Sequence, residues 1–143
     1  MFVADQFSLM TDDGWTPALP EESFRDVIVD RKSHYTVTGA LVMSREDVDA
    51  YMKRLLRDTY YRKATHNSYA YRLVTPEGMV LESKNDDGET GAGMCILREL
   101  QRKDAQNLLL IVTRYFGGIQ LQSDRYKHVI DSCKIFFERA EKK

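Results

Sequence analysis

The sequence has little of what marks secreted or membrane proteins. Its two cysteines, Cys95 and Cys133, are too few for a disulfide framework and favour a reducing compartment. No apolar run approaches the roughly 18 residues of a membrane-spanning helix, and residues 1–10, interrupted by Asp5, are unlike a signal peptide. A chain of 143 residues can bury a core without disulfides or metal. We therefore expect one soluble, cytoplasmic domain with no membrane partner.

Net charge is also nearly absent, since 21 Lys and Arg residues face 22 Asp and Glu residues. A net charge of -1 argues against a polyanion binder, yet the charges are unevenly distributed. Residues 1–30 hold one basic and seven acidic residues, whereas residues 31–143 hold 20 basic and 15 acidic residues. This asymmetry indicates either an interaction surface or two separately solvated regions.

The first 20 residues show neither helical nor strand periodicity, and they contain two prolines near their end. Residues 1–25 are therefore predicted to form an irregular acidic lead-in. Its aromatic residues are available to dock on the body of the protein: Phe2, Phe7 and Trp15.

Apolar periodicity from residue 26 onward predicts strands and helices. The most distinct helices open at Ser44 and at Ser123 or Asp124, each with apolar residues three and four positions apart. The expected elements are strands at 27–29 and 35–43, a helix at 44–60, strands at 67–74 and 79–82, a helix at 89–103, a strand at 108–115 and a helix at 124–140. This ββαββαβα order predicts an α+β fold for residues 26–143, a two-layer sandwich with the helices on one side of the sheet. The uncovered sheet face or the loop edge would then carry the function.

The first stretch with functional composition is KATHNSYAYR at residues 63–72. Strand alternation places His66, Ser68 and Arg72 on one face, which makes a basic and polar surface possible. A lone histidine at the start of a strand is also compatible with a purely structural role.

The second stretch is NDDGETGAG at residues 85–93, with three glycines immediately before a helix. Backbone N–H groups in such a loop can cradle an anion, although nearby carboxylates can cap the same N–H groups. Clustered carboxylates could also bind a hard cation. Acidic residues beside glycine more often form a plain turn, so we expect no metal. The candidate loop residues are Asp86, Asp87, Gly88, Glu89, Gly91 and Gly93.

The third stretch is TRYFGG at residues 113–118. Arg114 and the aromatic residues beside it can stack on bases and contact phosphate, or anchor a protein partner. Alternatively, Phe116 belongs to the core and the two glycines only shape the backbone. Both cysteines fall on apolar helix stripes, and no serine sits in a nucleophile elbow, so we expect no catalytic residues and no cofactor.

Together the three stretches resemble the Impact family, which includes bacterial YigZ-type proteins and the eukaryotic Impact proteins. The matching segments, in the family's order, are ATHNSYAYR at 64–72, DDGETGAG at 86–93 and VTRYFGGIQLQSDRYKH at 112–128. The last segment ends in DRYKH, which is similar to the eukaryotic DRFKH, whereas Gln122-Ser123 replaces the usual Gly-Pro. The resemblance covers roughly residues 26–140 and is closer to the eukaryotic members.

The resemblance implies a fold like the second domain of ribosomal small-subunit protein five. It also implies a role in translation control, because eukaryotic Impact proteins restrain the amino-acid-starvation kinase of initiation factor two by competing for its co-activator. They are also linked to actin. Their additional N-terminal RWD domain is not expected here, since only about 25 residues precede the match.

We therefore interpret the chain as a non-enzymatic regulatory protein that contacts a kinase co-activator or a ribosome-associated factor, with actin as a further candidate partner. An RNA-binding module using the same basic surface is the alternative. An enzyme acting on an anionic small molecule at the glycine-rich loop is the third hypothesis. The residues expected to form the interaction or nucleic-acid-binding surface are His66, Arg72, Arg114, Tyr115, Arg125, Lys127 and His128.

Overall fold

Five strands and four helices make up the part of the chain, residues 14–143, that the computed structural model describes. In chain order they are β1 (Glu21–Asp30), β2 (Ser33–Leu41), α1 (Arg45–Leu55), α2 (Thr59–Arg62), β3 (His66–Val74), β4 (Val80–Asn85), α3 (Ala92–Arg102), β5 (Leu108–Tyr115) and α4 (Asp124–Arg139). None of these helices is long and apolar enough to cross a membrane.

The strands form one antiparallel sheet in the order β1-β2-β5-β3-β4. The apolar β5 lies in the middle, as expected for a strand that is buried on both faces. The turn between β1 and β2 has only two residues, Arg31 and Lys32, and both have positive φ angles, 46° and 68°. Two consecutive positive φ angles are typical of the type I′ turn, whose twist matches that of the flanking strands.

Alternating side chains of β5 enter two separate cores. Leu108, Leu110 and Val112 lie in the larger core, which α3 and α4 cover. Leu109 and Ile111 lie in a smaller core on the opposite face, with side chains from α1 and α2. The nearly continuous apolar run of β5 is thus explained by apolar cover on both faces of the sheet.

The chain before β1 is fixed to the larger core by Trp15. Its indole is buried and contacts the rings of Phe136 and Phe137, with centroid distances of 5.7 and 5.1 Å. The predicted docking of Trp15 is therefore confirmed, whereas Phe2 and Phe7 lie outside the described residues.

The predicted α+β class and the order of the long elements are confirmed. The helices, however, lie on both faces: α3 and α4 form the predicted helix layer, and α1 and α2 cover the other face. The predicted helix at 44–60 is also divided. Ser44 caps it as expected, but it ends at Leu55, and Asp58 starts α2 by accepting a hydrogen bond from the Tyr60 N–H at 2.9 Å.

The first strand begins at Glu21, so residues 21–25 lie in the sheet and not in the lead-in where the sequence placed them. Their pattern is irregular because the strand carries a bulge between Phe24 and Ile28, with Asp26 at a φ of 51°. A bulge shifts the alternation of side chains, which removes the period-2 signal from the sequence. Other boundaries differ as well: β2 spans Ser33–Leu41, β4 extends to Asn85 and α3 begins at Ala92.

Candidate functional site

Three stretches of the chain meet at the end of the sheet where β3 begins and β5 ends. In the antiparallel register, His66 of β3 lies opposite Arg114 of β5. The loop before α3 reaches the same place, because the Asn67 N–H donates to Asp87 Oδ2 at 2.7 Å. We name this region the motif end, and it comprises the start of β3, the end of β5, the loops at 86–91 and 116–123, and the first turn of α4.

The glycine-rich loop between β4 and α3 is closed by its own carboxylate. Asp86 Oδ1 accepts a hydrogen bond from the Gly93 N–H at 2.8 Å, and Oδ2 accepts one from the Gly91 N–H at 3.0 Å. The hydrogen bond from the Gly91 N–H lowers the pKa of Asp86, and the one from the Gly93 N–H acts in the same direction. Burial of the carboxylate opposes this shift but does not cancel it. Two N–H groups of the proposed anion cradle are therefore already occupied by Asp86, which favours the capping interpretation of this loop.

Two of the loop glycines are required by their surroundings. Gly91 has a φ of 90°, in the left-handed region. A Cβ atom on Gly93 would lie 2.8 Å from Asp86 Oδ1 and 3.2 Å from the backbone of Asn85. The glycines thus permit a close turn around the Asp86 carboxylate. Within residues 14–143, no group of three His, Cys, Asp or Glu side chains is placed to hold a metal ion.

A buried ion pair lies at the centre of the motif end. Arg114 Nη1 donates to Glu89 Oε2 at 2.8 Å, and both side chains are only 6% exposed. Arg114 Nη2 also donates to Ser33 Oγ at 3.4 Å, and the guanidinium carbon lies 5.7 Å from the ring centroid of Tyr35 and 5.5 Å from that of Phe116. Because Arg114 is enclosed in this way, it is not an exposed residue that reaches out to a phosphate or a base.

His66 is positioned by the same loop. Its Nδ1 lies 2.9 Å from the carbonyl oxygen of Asp87, which can only accept, so Nδ1 carries a proton. Its Nε2 lies 3.9 Å from Glu89 Oε2. In the part of the chain that the structure describes, His66 is hydrogen-bonded to no hydroxyl or thiol. An imidazole, a carboxylate and a guanidinium thus stand together, and the Ser33 hydroxyl in this group contacts the guanidinium and not the imidazole.

Both cysteine thiols are less acidic than an ordinary thiol. Burial raises the pKa of Cys133 well above the ordinary value for a thiol, and burial also raises the pKa of Cys95. Because the thiolate is the reactive form, both thiols are poorly activated.

The first turns of α4 bring His128 to the same end of the sheet. His128 Nε2 lies 2.7 Å from Asp30 Oδ2, and Asp30 also accepts a hydrogen bond from Arg31 at 2.9 Å. These two hydrogen bonds, the larger effect coming from Arg31 and the smaller from His128, lower the pKa of Asp30 to about 2. The His128 ring meets Tyr35 edge-on at 5.3 Å, and burial raises the pKa of Tyr35 to about 12.

Arg125 lies one turn earlier on α4, and its Nη2 donates to the hydroxyl oxygen of Tyr126 at 2.8 Å. That hydrogen bond raises the pKa of Arg125. Arg125 Nε is buried and has no hydrogen-bond partner among the described residues. Arg125 is therefore half-buried beside the cluster and does not project into solvent as a free cation.

The other residues of the predicted surface lie outside this cluster of side chains. Arg72 lies six residues along β3 from His66, roughly 20 Å away, and binds Glu82, Asp104 and the carbonyl oxygen of Ala105. Tyr115 points to the opposite face of the sheet, where its hydroxyl donates to the carbonyl oxygen of Tyr60. Lys127 is 71% exposed and pairs with Asp131 at 2.7 Å. The structure thus brings together His66, Arg114, Arg125 and His128, and leaves out Arg72, Tyr115 and Lys127.

The model of the Impact N-terminal domain matches residues 31–135, which contain all three stretches. The chain belongs to this family. The Impact homologue of Schizosaccharomyces pombe is 36% identical over 86% of this chain and 44% of its own length. The homologue of Caenorhabditis elegans is 40% identical over 73% of this chain and 42% of its own length. IMPACT-B of Xenopus tropicalis is 38% identical over 89% of this chain and 39% of its own length. This Impact chain therefore spans less than half the length of these relatives.

Two solved structures share the fold of this Impact chain. A crystal structure of a hypothetical protein superposes with a TM-score of 0.78 at 22% identity, over 90% of this chain and 62% of that one. A structure described as the two-domain translational regulator Yih1 superposes with a TM-score of 0.53 at 30% identity, over 90% of this chain and 47% of that one.

Sequence reasoning missed several residues of this Impact motif end. Ser33 is buried and hydrogen-bonds both Arg114 and the Gly117 N–H, but nothing in its sequence context distinguishes it from an ordinary turn residue. Asp30 enters the sequence analysis only as one of the seven acidic residues within residues 1–30. Phe116 is 41% exposed, so it does not fill the core; the two glycines after it were the signal that an unusual loop follows.

Proposed function

We propose that this Impact chain is a non-enzymatic regulator of translation that acts through protein contacts at its motif end. Its likeness to Yih1, which is described as a translational regulator, supports the role in translation. The IMPACT relatives support the same assignment at the level of the family. Because the chain spans less than half of those relatives, the role of the motif end has to be argued from its own surface.

One observation carries the proposal. Phe116 and Ile119 are 41% and 44% exposed on the same short loop, beside a cluster in which Arg114 pairs with Glu89. An exposed aromatic and an exposed aliphatic side chain, surrounded by polar groups, are the anchors expected of a protein interface. The loop is held in place because the Phe116 N–H donates to Thr65 Oγ1 and the Gly117 N–H donates to Ser33 Oγ. The anchors are therefore presented on a fixed backbone.

The pairing of charges weighs against RNA as the ligand. Arg114 and Lys127 are each paired with an acidic side chain within 2.8 Å, and His128 lies 2.7 Å from Asp30, whereas Arg125 is hydrogen-bonded to the hydroxyl of Tyr126. Binding of a phosphate would have to compete with these carboxylates, and nucleic-acid affinity depends on unneutralised cations. A mixed apolar and charged surface instead favours a protein partner.

The finer proposal is that the partner is the co-activator of the starvation-activated kinase of initiation factor two, which the chain sequesters from the kinase. A ribosome-associated factor and actin are the other candidate partners. Each of these would bury Phe116 and Ile119.

The test compares Phe116→Ala with Leu56→Ala, because Leu56 is equally exposed, at 40%, but lies after α1, away from the motif end. We expect wild-type protein and Leu56→Ala to recover the co-activator from starved cells and to lower phosphorylation of initiation factor two. Phe116→Ala should lose at least about tenfold in binding, the effect of removing an interface anchor worth roughly 1.4 kcal/mol or more.

Three results would count against this proposal. The first is that wild-type protein recovers neither the co-activator nor a ribosome-associated factor and leaves the phosphorylation unchanged. The second is salt-sensitive RNA binding that Phe116→Ala leaves intact, which would favour the nucleic-acid hypothesis. The third is a rise in melting temperature with an anionic metabolite, which would favour the enzyme hypothesis.

A further inference from the structure

The two edges of the sheet differ in a way that bears on self-association. The β1 edge is interrupted by its bulge between Phe24 and Ile28. The β4 edge, in contrast, pairs with β3 at six consecutive positions without a register shift, and all six of its residues are exposed. A regular, exposed edge strand is a template on which a further strand can pair.

The register shows which backbone groups of β4 are free to pair. Beyond the strand ends, the Thr75 N–H donates to the carbonyl oxygen of Met79 at 2.8 Å, so this opposed pair is a hydrogen-bonded one. Hydrogen-bonded and non-hydrogen-bonded pairs alternate in an antiparallel ladder. The backbone groups of residues 81, 83 and 85 therefore face β3, and those of Val80, Glu82 and Lys84 point away from the sheet.

We propose that a second copy of this chain pairs with this edge, β4 antiparallel to β4, about a two-fold axis at Ser83. The outward-facing backbone groups belong to even-numbered residues, so each hydrogen-bonded pair between the copies must join two even-numbered residues. Two-fold axes at Glu82, Ser83 and Lys84 all meet this condition. An axis at Glu82 or Lys84 sets two like charges directly opposite each other, which is destabilising. An axis at Ser83 sets Glu82 opposite Lys84 of the partner, and the reverse, so both opposed pairs are attractive.

The side chains leave this register open. Lys84 makes no hydrogen bond or ion pair within the described residues, and the small Ser83 side chain meets only its own copy on the axis. Glu82 contacts Arg72 and Gln101 and is 28% exposed, so Lys84 of the second copy would share its carboxylate with these two side chains. The two hydrogen-bonded pairs would add about four backbone hydrogen bonds between the copies. The pairing would also shield Val80, which is 44% exposed.

The first test is a charge at the axis. Ser83→Asp sets two carboxylates face to face in the dimer, whereas Ser83→Asn has nearly the same shape without the charge. In sedimentation equilibrium across a concentration series, we expect wild-type protein and Ser83→Asn to dimerise, and Ser83→Asp to raise the dissociation constant at least tenfold. This expectation does not depend on the proposed role in translation.

The second test fixes the register by cross-linking, with Cys95 replaced by serine in every variant. Two copies of Ser83→Cys would face each other as a non-hydrogen-bonded pair, with Cβ atoms about 4.5–5.5 Å apart, close enough to oxidise to a disulfide. Leu81→Cys is the matched control on the same strand face, because its two copies would lie four residues apart along the strand, roughly 13 Å. We expect a disulfide-linked dimer from Ser83→Cys alone. Monomeric wild-type protein at all concentrations, or equal cross-linking of the two variants, would overturn the proposal.

Discussion

Glu89 and Arg114 form a buried ion pair at the motif end. Both side chains are buried, and Glu89 holds the only carboxylate in contact with the Arg114 guanidinium among the described residues. Removal of one member of a buried ion pair leaves the other charge without compensation. An Arg114→Ala variant would therefore lose stability together with any binding, so it cannot serve as a clean probe of the surface.

The buried pair gives a prediction for stability. Glu89→Gln should lower the free energy of unfolding by about 3 kcal/mol, because Arg114 then lacks its counter-charge. In the double variant Glu89→Gln/Arg114→Met the buried charge is gone, so the loss should be smaller than the sum of the two single losses. Urea unfolding of the four proteins of this cycle measures the coupling. Additive single effects would show that the pair has no net interaction.

At the scale of elements, the loop and helix that follow β4 form a unit. The first residue before α3, Gly91, has no side chain to cap the helix. Asp86 takes this role from five residues earlier and accepts from the Gly91 and Gly93 N–H groups. A carboxylate is also favourable at the positive end of the helix dipole. Asp86 and the two glycines therefore act together to start α3.

The cap gives a prediction for this element. Asp86→Asn keeps the shape of the side chain but leaves one oxygen to accept from two N–H groups, so the protein should lose about 1 kcal/mol of stability. Asp49→Asn, an exposed position on α1, is the matched control and should stay close to wild type. Urea unfolding gives the stabilities, and amide exchange at Gly91 and Gly93 should become faster only in Asp86→Asn. Equal stability of the two variants would contradict the capping role.

At the scale of the whole molecule, Asp30 joins the β1–β2 turn to α4. It accepts hydrogen bonds from Arg31 and His128, and Arg31 also pairs with Asp124 at the start of the helix. The turn and the helix are far apart in sequence, so this contact exists only in the folded chain. The carboxylate of Asp30 is consequently more acidic in the folded protein than in the unfolded chain.

This contact gives a prediction for acid stability. The pKa of Asp30 falls from 3.8 to about 2 on folding, so below about pH 5 the unfolded chain binds more protons than the folded protein. The stabilisation is complete above the unfolded pKa and is lost as the pH falls towards 2. In Asp30→Asn the urea midpoint should be lower at pH 7 and should fall less steeply between pH 5 and pH 2. Parallel pH profiles of the two proteins would contradict the assignment.

The sequence by itself determined the α+β class, the order of the long elements and the three stretches that supply the motif end. These features follow from local pattern: apolar period, capping residues such as Ser44, and glycine before a helix. The sequence did not reveal the bulge in β1, because the extra residue erases the alternation on which strand prediction depends.

Only the tertiary structure decided which polar residues are exposed. Arg114 reads as a surface cation in the sequence, but its partner Glu89 lies 25 residues away and both are buried when β5 meets the loop. Arg72 and His66 share one strand face but stand at opposite ends of β3. Burial and pairing depend on contacts between distant segments, and a pattern that extends over a few neighbouring residues does not contain them.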